Sequence, residues 1–230
     1  MSKGHRSRGP VNKYKASGSG IQLTTASQSV TVRRRYRLGP RDTALRRDRG
    51  RALIMMNALD QYEDRLLSWE REAGDLAQLG YRSEELDLRD YWPGSELPLI
   101  ERLSAADLLW VVGGNAFVLA RAATEARLRS ALARSPHVDY AGYSAGACLA
   151  SIDLVGIDQM DDASACPPGY RAEMRPETLN LTGSCLLPHA GSPEADAAAA
   201  YLRARDLSFI QLADGEEQLI DTRPIQGITD

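Results

Sequence analysis

Ser144 sits in the run Val138-Asp-Tyr-Ala-Gly-Tyr-Ser-Ala-Gly-Ala147, where a short apolar stretch leads directly into Gly-x-Ser-x-Gly. That spacing is the pattern of a nucleophile elbow. A strand turns sharply into a helix, glycines flank the serine where a Cβ would clash, and the hydroxyl stands above the sheet edge. The N–H of Ala145 would then lie at a helix N-terminus, facing a developing oxyanion. Alone the motif is weak, because many strand-to-helix turns carry it by chance.

A serine needs a base at neutral pH, and histidine is the usual one. Of the three histidines, His5 lies in a polar N-terminal stretch. His137 lies at the start of the strand that ends at Ser144, about 20 Å away at roughly 3.3 Å per strand residue. His189 remains, just past the apolar run Ser184-Cys-Leu-Leu-Pro188. A lone histidine is more often structural than catalytic, and position at the sheet edge is what favours catalysis here. An acid must orient the imidazole. Asp214 is the choice, with Gly215 making room for a turn, and Glu216, Glu217 and Glu194 compete; an ordinary Asp-Gly turn is the bland alternative.

Gly113-Gly114-Asn115 follows another apolar run. It lacks the Gly-x-Gly-x-x-Gly spacing and following lysine of a phosphate loop. Its place suits a second oxyanion donor, the N–H of Gly114 or Asn115, with a plain tight turn as the alternative.

These positions need a scaffold that gathers them. From Arg51 onward, strand and helix patterns alternate, as expected for a parallel sheet with helices on both faces. Ala52–Met56 and Asp107–Val112 read as buried strands, with shorter ones near Glu85–Leu88, at Val138, and over Ser184–Pro188, Leu207–Leu212 and Gln218–Ile220. Tyr62, Leu66, Trp69, Ala73 and Leu76 recur at helical spacing with Gly80 as a C-cap, and that stripe is expected to be core. Helices are also expected near Leu97–Leu103, Ala116–Ala123, Thr124–Ser135 and Pro193–Asp206, and a loop-rich stretch over Asp158–Pro176. Ligands of such sheets bind beyond the strand carboxyl ends. Gly113–Asn115, Ser144, His189 and Asp214 all fall there.

At 230 residues with 43% hydrophobic content the chain suits one domain with a sizeable core. The net charge of -3 conceals an asymmetry: residues 1–51 hold 14 of the 28 Lys+Arg and only two acids, leaving 14 basic against 29 acidic residues, a balance of -15. Residues 1–50 therefore read as a basic, disordered extension before a domain over 51–230. A nucleic-acid arm is the less favoured reading of that charge. Cys148, Cys166 and Cys185 form neither a metal-spaced pair nor a disulfide framework and are expected to be buried small apolar residues. No apolar run has the length of a membrane span or the form of a signal peptide, which points to the cytoplasm.

The order Ser, His, acid, with Gly-Gly-Asn upstream, Gly-x-Ser-Ala-Gly, Pro-His downstream and a late acid-Gly turn, resembles the peptidase E family of serine peptidases, the aspartyl dipeptidases. The resemblance covers roughly Arg51–Ile220. It implies the doubly wound, flavodoxin-like, mostly parallel sheet of class I glutamine amidotransferases, with Ser144 as nucleophile, His189 as base and Asp214 as third member. The family usually has Glu where this chain has Asp214, so the orienting bond is expected to be longer or to come from another acid. A polar basic segment, Thr31–Arg37, stands where the family has its first strand, and the chain stops soon after Asp221. The sheet is thus expected to lack strands at both ends.

The family's Gly-Glu-Thr-Arg-Glu stretch, tied to recognition of an acidic substrate end, reads Gly191-Ser-Pro-Glu-Ala195 here, with Glu194 at the arginine position. A carboxylate there repels an aspartyl side chain. The family's Asn-Asp-Met run is changed to Asp158-Gln-Met160. Glu194, with Arg171 and Arg175, are the candidate substrate-binding residues. The expectation is a cytoplasmic serine peptidase that hydrolyses dipeptides or very short peptides without metal or organic cofactor. A cyanophycinase-like peptidase and a catalytically silent binding relative are the alternatives. A glutamine amidotransferase fits less well, because its elbow residue is Cys and Cys148 lies one helical turn beyond Ser144.

Overall fold

The apolar run Ala52–Met56 is long enough only for a strand and has no polar face, so it must be covered on both sides. In the computed structural model, which describes residues 29–33, 50–63, 65–92 and 94–221, all of this run but Met56 lies in β2 (Gly50–Met55), inside a six-stranded sheet. The other strands are β1 (Ser29–Arg33), β3 (Tyr81–Glu85), β4 (Leu108–Val111), β5 (Asp139–Gly142) and β8 (Glu217–Asp221), in the order β3-β2-β4-β5-β1-β8. β2 pairs in parallel with β3 and β4, and β4 with β5; β1 runs antiparallel to β5 and parallel to β8. The architecture is the expected flavodoxin-like one, except that a strand, β1, does precede β2 in the sheet, where none is expected from the sequence.

Strand periodicity divides the core cleanly. Ala52, Ile54, Met56, Leu108, Trp110 and Val112 face one side, packed with Leu76 of α1 (Arg65–Gln78). Leu53, Met55, Leu109 and Val111 face the other, against α2 (Leu97–Ser104), α3 (Ala116–Glu125), α4 (Leu128–Ala133) and α5 (Ala145–Ala150). Each large aliphatic residue buried in these layers contributes about 1.5–3 kcal/mol relative to exposure.

Several expectations need correction. Within the segment 1–50, Ser29–Arg33 is a strand in the sheet rather than part of a disordered extension, with Val30 opposite Gly142 and Gln218. The β-branched Val30-Thr-Val32 is strand-forming, and ladder hydrogen bonds require only backbone groups. Residues 1–28 and 34–49 lie outside the described ones. Second, the α1 stripe is not uniformly core: Tyr62 and Leu66 are exposed, Trp69 and Ala73 only partly buried, and Glu72 is buried instead. Third, the strand expected near Glu85–Leu88 ends at Glu85, and the expected helix 124–135 is broken at Arg127, whose left-handed φ of 55° separates α3 from α4. Fourth, Cys166 is exposed, while Cys148 and Cys185 are buried.

The strands leading to His189 and Asp214 form a separate parallel pair, β6 (Cys185–Leu187) with β7 (Phe209–Gln211). Leu187 O accepts from Leu212 N, and Leu212 O from Ala190 N, so the pairing continues past both strands toward the site. α6 (Pro193–Arg203) follows, with Ser192 Oγ capping Ala195 N at 3.1 Å and Pro193 in its first turn.

Candidate active site

β5 enters the elbow and α5 leaves it, and Ser144 holds φ 51°, ψ -115° between them. A non-glycine residue rarely adopts a positive φ, and such strain, of order 1–3 kcal/mol, persists only where the surroundings over-determine it. Here they do. Tyr143 N donates to Val111 O, Gly146 N to Tyr143 O at 2.9 Å, and Cys148 N to Ser144 O at 3.0 Å. A Cβ at Gly146 would stand 2.4 Å from Val111 O, so only glycine lets the helix start this close to β4.

The β6–β7 pair brings the other groups in. His189 Nε2 lies 3.1 Å from Ser144 Oγ, and His189 Nδ1 lies 3.1 Å from Asp214 Oδ1. An Nδ1–H directed at the carboxylate leaves Nε2 to accept the serine proton. His189 has φ 59°, another non-glycine residue in the left-handed region, fixed by Ser192 N donating to its carbonyl.

Of the four candidate acids, Asp214 is the one on the imidazole. Glu216 Oε2 accepts from Ala213 N and closes the turn in which Gly215 has φ 84°. Glu217 begins β8, and Glu194 lies in the first turn of α6. The tight turn delivers the shorter aspartate to an ordinary hydrogen-bond distance. Its side chain is 63% exposed, so charge attraction to the imidazole is screened and the bond acts mainly by orientation.

The expected oxyanion donors separate into two groups. Ala145 and Gly114 border the cleft beside Ser144, and among the described residues neither N–H donates to a protein acceptor. Asn115 does not serve: its N–H donates to Ala58 O at 3.0 Å, and its side-chain oxygen caps α3 by accepting from Phe117 N and Val118 N. Gly114, at φ 141°, passes so close to Ala58 that a Cβ would lie 2.4 Å from the Ala58 oxygen.

The cleft over Ser144 has a volume of about 800 Å³ and is bordered by Tyr62, Met160, Asp161, Gly191 and Glu194 besides the residues above. Asp161 was not legible in the sequence, since nothing in the loop-rich stretch distinguishes it from Asp158, which is exposed. Its Oδ2 accepts from Ala116 N at 2.7 Å, and Asn115 Nδ2 donates to Asp162 O, fastening this loop to the Gly114 turn. Burial raises the Asp161 carboxyl above the ordinary range, against the pull of the Ala116 N–H and of His189.

Glu194 is thus at the cleft, but Arg171 and Arg175 are not. Arg171 pairs with Glu125 (Nε···Oε2 2.8 Å) beside a smaller hollow of about 180 Å³ near Trp92 and Tyr170, and Arg175 is exposed. Cys148 borders the cleft from α5 but is buried, and burial pushes its thiol far up, away from the thiolate a cysteine nucleophile requires.

A doubly wound α/β fold with a strained serine beyond its strand ends, in line with a histidine and an acid, defines a hydrolase-type site. The sequence matches the model of peptidase family S51 over residues 64–225, and the chain belongs to that family. The resemblance to peptidase E stands with that match. Among solved structures, a Listeria monocytogenes EGD-e protein assigned as a peptidase E superposes with a TM-score of 0.60 at 19% identity, over 82% of this chain and 91% of the other. A peptidase from an acI-B1 Actinobacterium aligns with a TM-score of 0.48 at 15% identity, over 85% and 81%. No curated protein sequence matches significantly.

Proposed function

We propose that this S51 peptidase is a serine peptidase that hydrolyses dipeptides or very short peptides through an acyl-enzyme. The observation that carries the reading is the unbroken line from Ser144 Oγ through His189 to Asp214, 3.1 Å at each step, on a serine held at positive φ. Ser144 Oγ attacks the scissile carbonyl carbon while its proton passes to His189 Nε2. The carbonyl oxygen becomes anionic within reach of the Ala145 and Gly114 N–H groups. The C–N bond then breaks, Nε2 returns the proton to the leaving amine, and water, deprotonated by the same nitrogen, hydrolyses the ester. Asp214 keeps Nδ1 protonated and the ring in plane.

The cleft bears on the substrate as well. Asp161, Glu194 and Asp214 contribute carboxylates to its border, and its described residues include no lysine or arginine. Such a border favours a free ammonium group and a neutral or basic first residue, and disfavours an aspartyl side chain. Among the described residues no helix is long and apolar enough to cross a membrane.

The test is hydrolysis of a panel of dipeptides and aminoacyl anilides whose first residue is Leu, Lys or Asp. The reading expects cleavage that Ser144→Ala abolishes, with Asp poorest. Equal activity or equal inertness of wild type and Ser144→Ala sinks it.

A further inference from the structure

Glu72 is a charged residue in the wrong place for a surface helix. It is 3% exposed, in the layer between α1 and the sheet, where the same helix turns Leu66 and Leu67 out to solvent at 69% exposure each. A carboxylate is costly there unless every lone pair is used. Glu72 Oε1 accepts from Tyr143 OH at 2.8 Å and from Arg71 Nη2 at 2.9 Å, and Oε2 accepts from Trp110 Nε1 at 2.8 Å. Well-packed apolar residues usually stabilise such a layer at least as well as an ion pair does. Stability therefore gives a poor account of this group, and its partners suggest a better one.

Tyr143 immediately precedes Ser144. Its ring is wedged beneath the Gly113 turn, where a Cβ would lie 2.8 Å from Tyr143 Cε2 and 3.0 Å from Ser144 Cβ. It also packs on Trp110 with centroids 5.7 Å apart. Trp110 belongs to β4, the strand that leads into Gly113 and Gly114. One carboxylate thus holds, from the sheet face opposite α5, both the residue before the nucleophile and the strand before the Gly114 turn. Burial and the adjacent Glu72 push the Tyr143 hydroxyl far up, so it stays a donor throughout the working pH range.

We propose that Glu72 is a positioning residue for the nucleophile: through Tyr143 and Trp110 it holds Ser144 in its strained conformation and in register with the Gly114 N–H. This rests on the assignment of Ser144 as nucleophile. The strain at Ser144 needs external restraint, and among the described residues Tyr143 is the elbow side chain that hydrogen-bonds to α1. Loosening it lets Ser144 relax away from His189 and the oxyanion donors with the substrate-binding border untouched.

The experiment measures the rate at which a small uncharged fluorophosphonate modifies Ser144, alongside kcat, KM and Tm, for Tyr143→Phe, Glu72→Gln, the double variant and Leu76→Val. Leu76→Val perturbs the same helix–sheet layer while leaving the hydrogen bonds to Tyr143 and Trp110 in place. Tyr143→Phe and Glu72→Gln are expected to slow both phosphonylation and kcat by about ten- to a hundredfold at unchanged KM, as small displacements of reacting groups do. The double variant is expected to be no slower than the worse single one, and Leu76→Val to lower Tm while reacting at the wild-type rate. Should Glu72→Gln fail to fold, Tyr143→Phe carries the test. If wild type is modified at Ser144 and Tyr143→Phe reacts equally fast, or if Leu76→Val slows in proportion to its Tm, this inference alone is overturned. If wild type is not modified at Ser144, the reading beneath it falls too.

Discussion

The N–H of Asn115 donates to the carbonyl of Ala58 at 3.0 Å, which ties the Gly113–Asn115 turn to the 3-10 turn after β2. That bond engages the Asn115 N–H, so of the proposed oxyanion donors Gly114 and Ala145 remain, both at the border of the cleft. The Asn115 side chain instead caps α3, so Asn115→Ala is expected to cost about 0.5–2 kcal/mol of stability, as cap losses do. Gly114→Ala meets Ala58 O at 2.4 Å and is expected to lower kcat far more than Asn115→Ala does. Urea unfolding and steady-state kinetics on the two variants separate cap from donor.

Asp214 is the acid on His189 Nδ1, whereas Glu216 closes the turn beneath it. Asp214→Asn is expected to reduce kcat by about 10²–10⁴, because an amide no longer selects the productive tautomer. Glu216→Gln keeps an acceptor for Ala213 N and is expected to stay within a few-fold of wild type. Comparable losses in both variants would mean that the turn, not the carboxylate on the ring, is what matters.

Much of this site could be read in the sequence because it hangs on short-range chemistry. The Ser144 elbow and the Gly215 turn need glycine at fixed offsets, and the apolar runs before Gly113, Ser144 and His189 place each group at a strand end. The misses arise where tertiary contacts decide. Nothing local shows that Asn115 N–H is already spent on Ala58, that Arg171 is paired with Glu125, or that Asp161 rather than Asp158 borders the cleft. The helical spacing in α1 was real, but Glu72 took a buried position that periodicity assigns to an apolar residue. The short β-branched run in Ser29–Arg33 was hidden by the three arginines that follow Val32.

Native thiol reactivity follows from burial. Cys148 is buried and pushed far up, and Cys185 is pushed up to about 12, by burial first and then by the neighbouring Asp153. Cys166 alone is exposed. One thiol per native chain is expected to react with iodoacetamide at pH 8 and three after denaturation, with activity retained in the singly modified protein. Loss of activity on modification of Cys148 would contradict the serine assignment.

Acid sensitivity is expected from the network behind the Ala58 turn. Asp87 accepts from Asn57 Nδ2 and Arg89 Nε, and Asn57 Oδ1 in turn accepts from Leu88 N. Burial alone would raise the Asp87 carboxyl, but the hydrogen bonds from Arg89 and Asn57 outweigh it and bring it from 3.8 to about 2. A carboxyl lowered on folding contributes stability above its unfolded value, and that contribution is lost as pH falls from about 4 to about 2. The side chain is 18% exposed, and the contribution is about 2 kcal/mol. Unfolding free energy between pH 2 and 6 is expected to show a smaller acid-side decline in Asp87→Asn than in wild type.

On the proposed mechanism Ser144 carries the acyl group during turnover. The most direct measurement is the intact mass, with peptide mapping, of enzyme acid-quenched during hydrolysis of a leucyl p-nitrophenyl ester. A single leucyl adduct on Ser144, absent from Ser144→Ala and diminished in His189→Ala, is the result expected. Hydrolysis with no adduct on Ser144, or an undiminished adduct in Ser144→Ala, would contradict it.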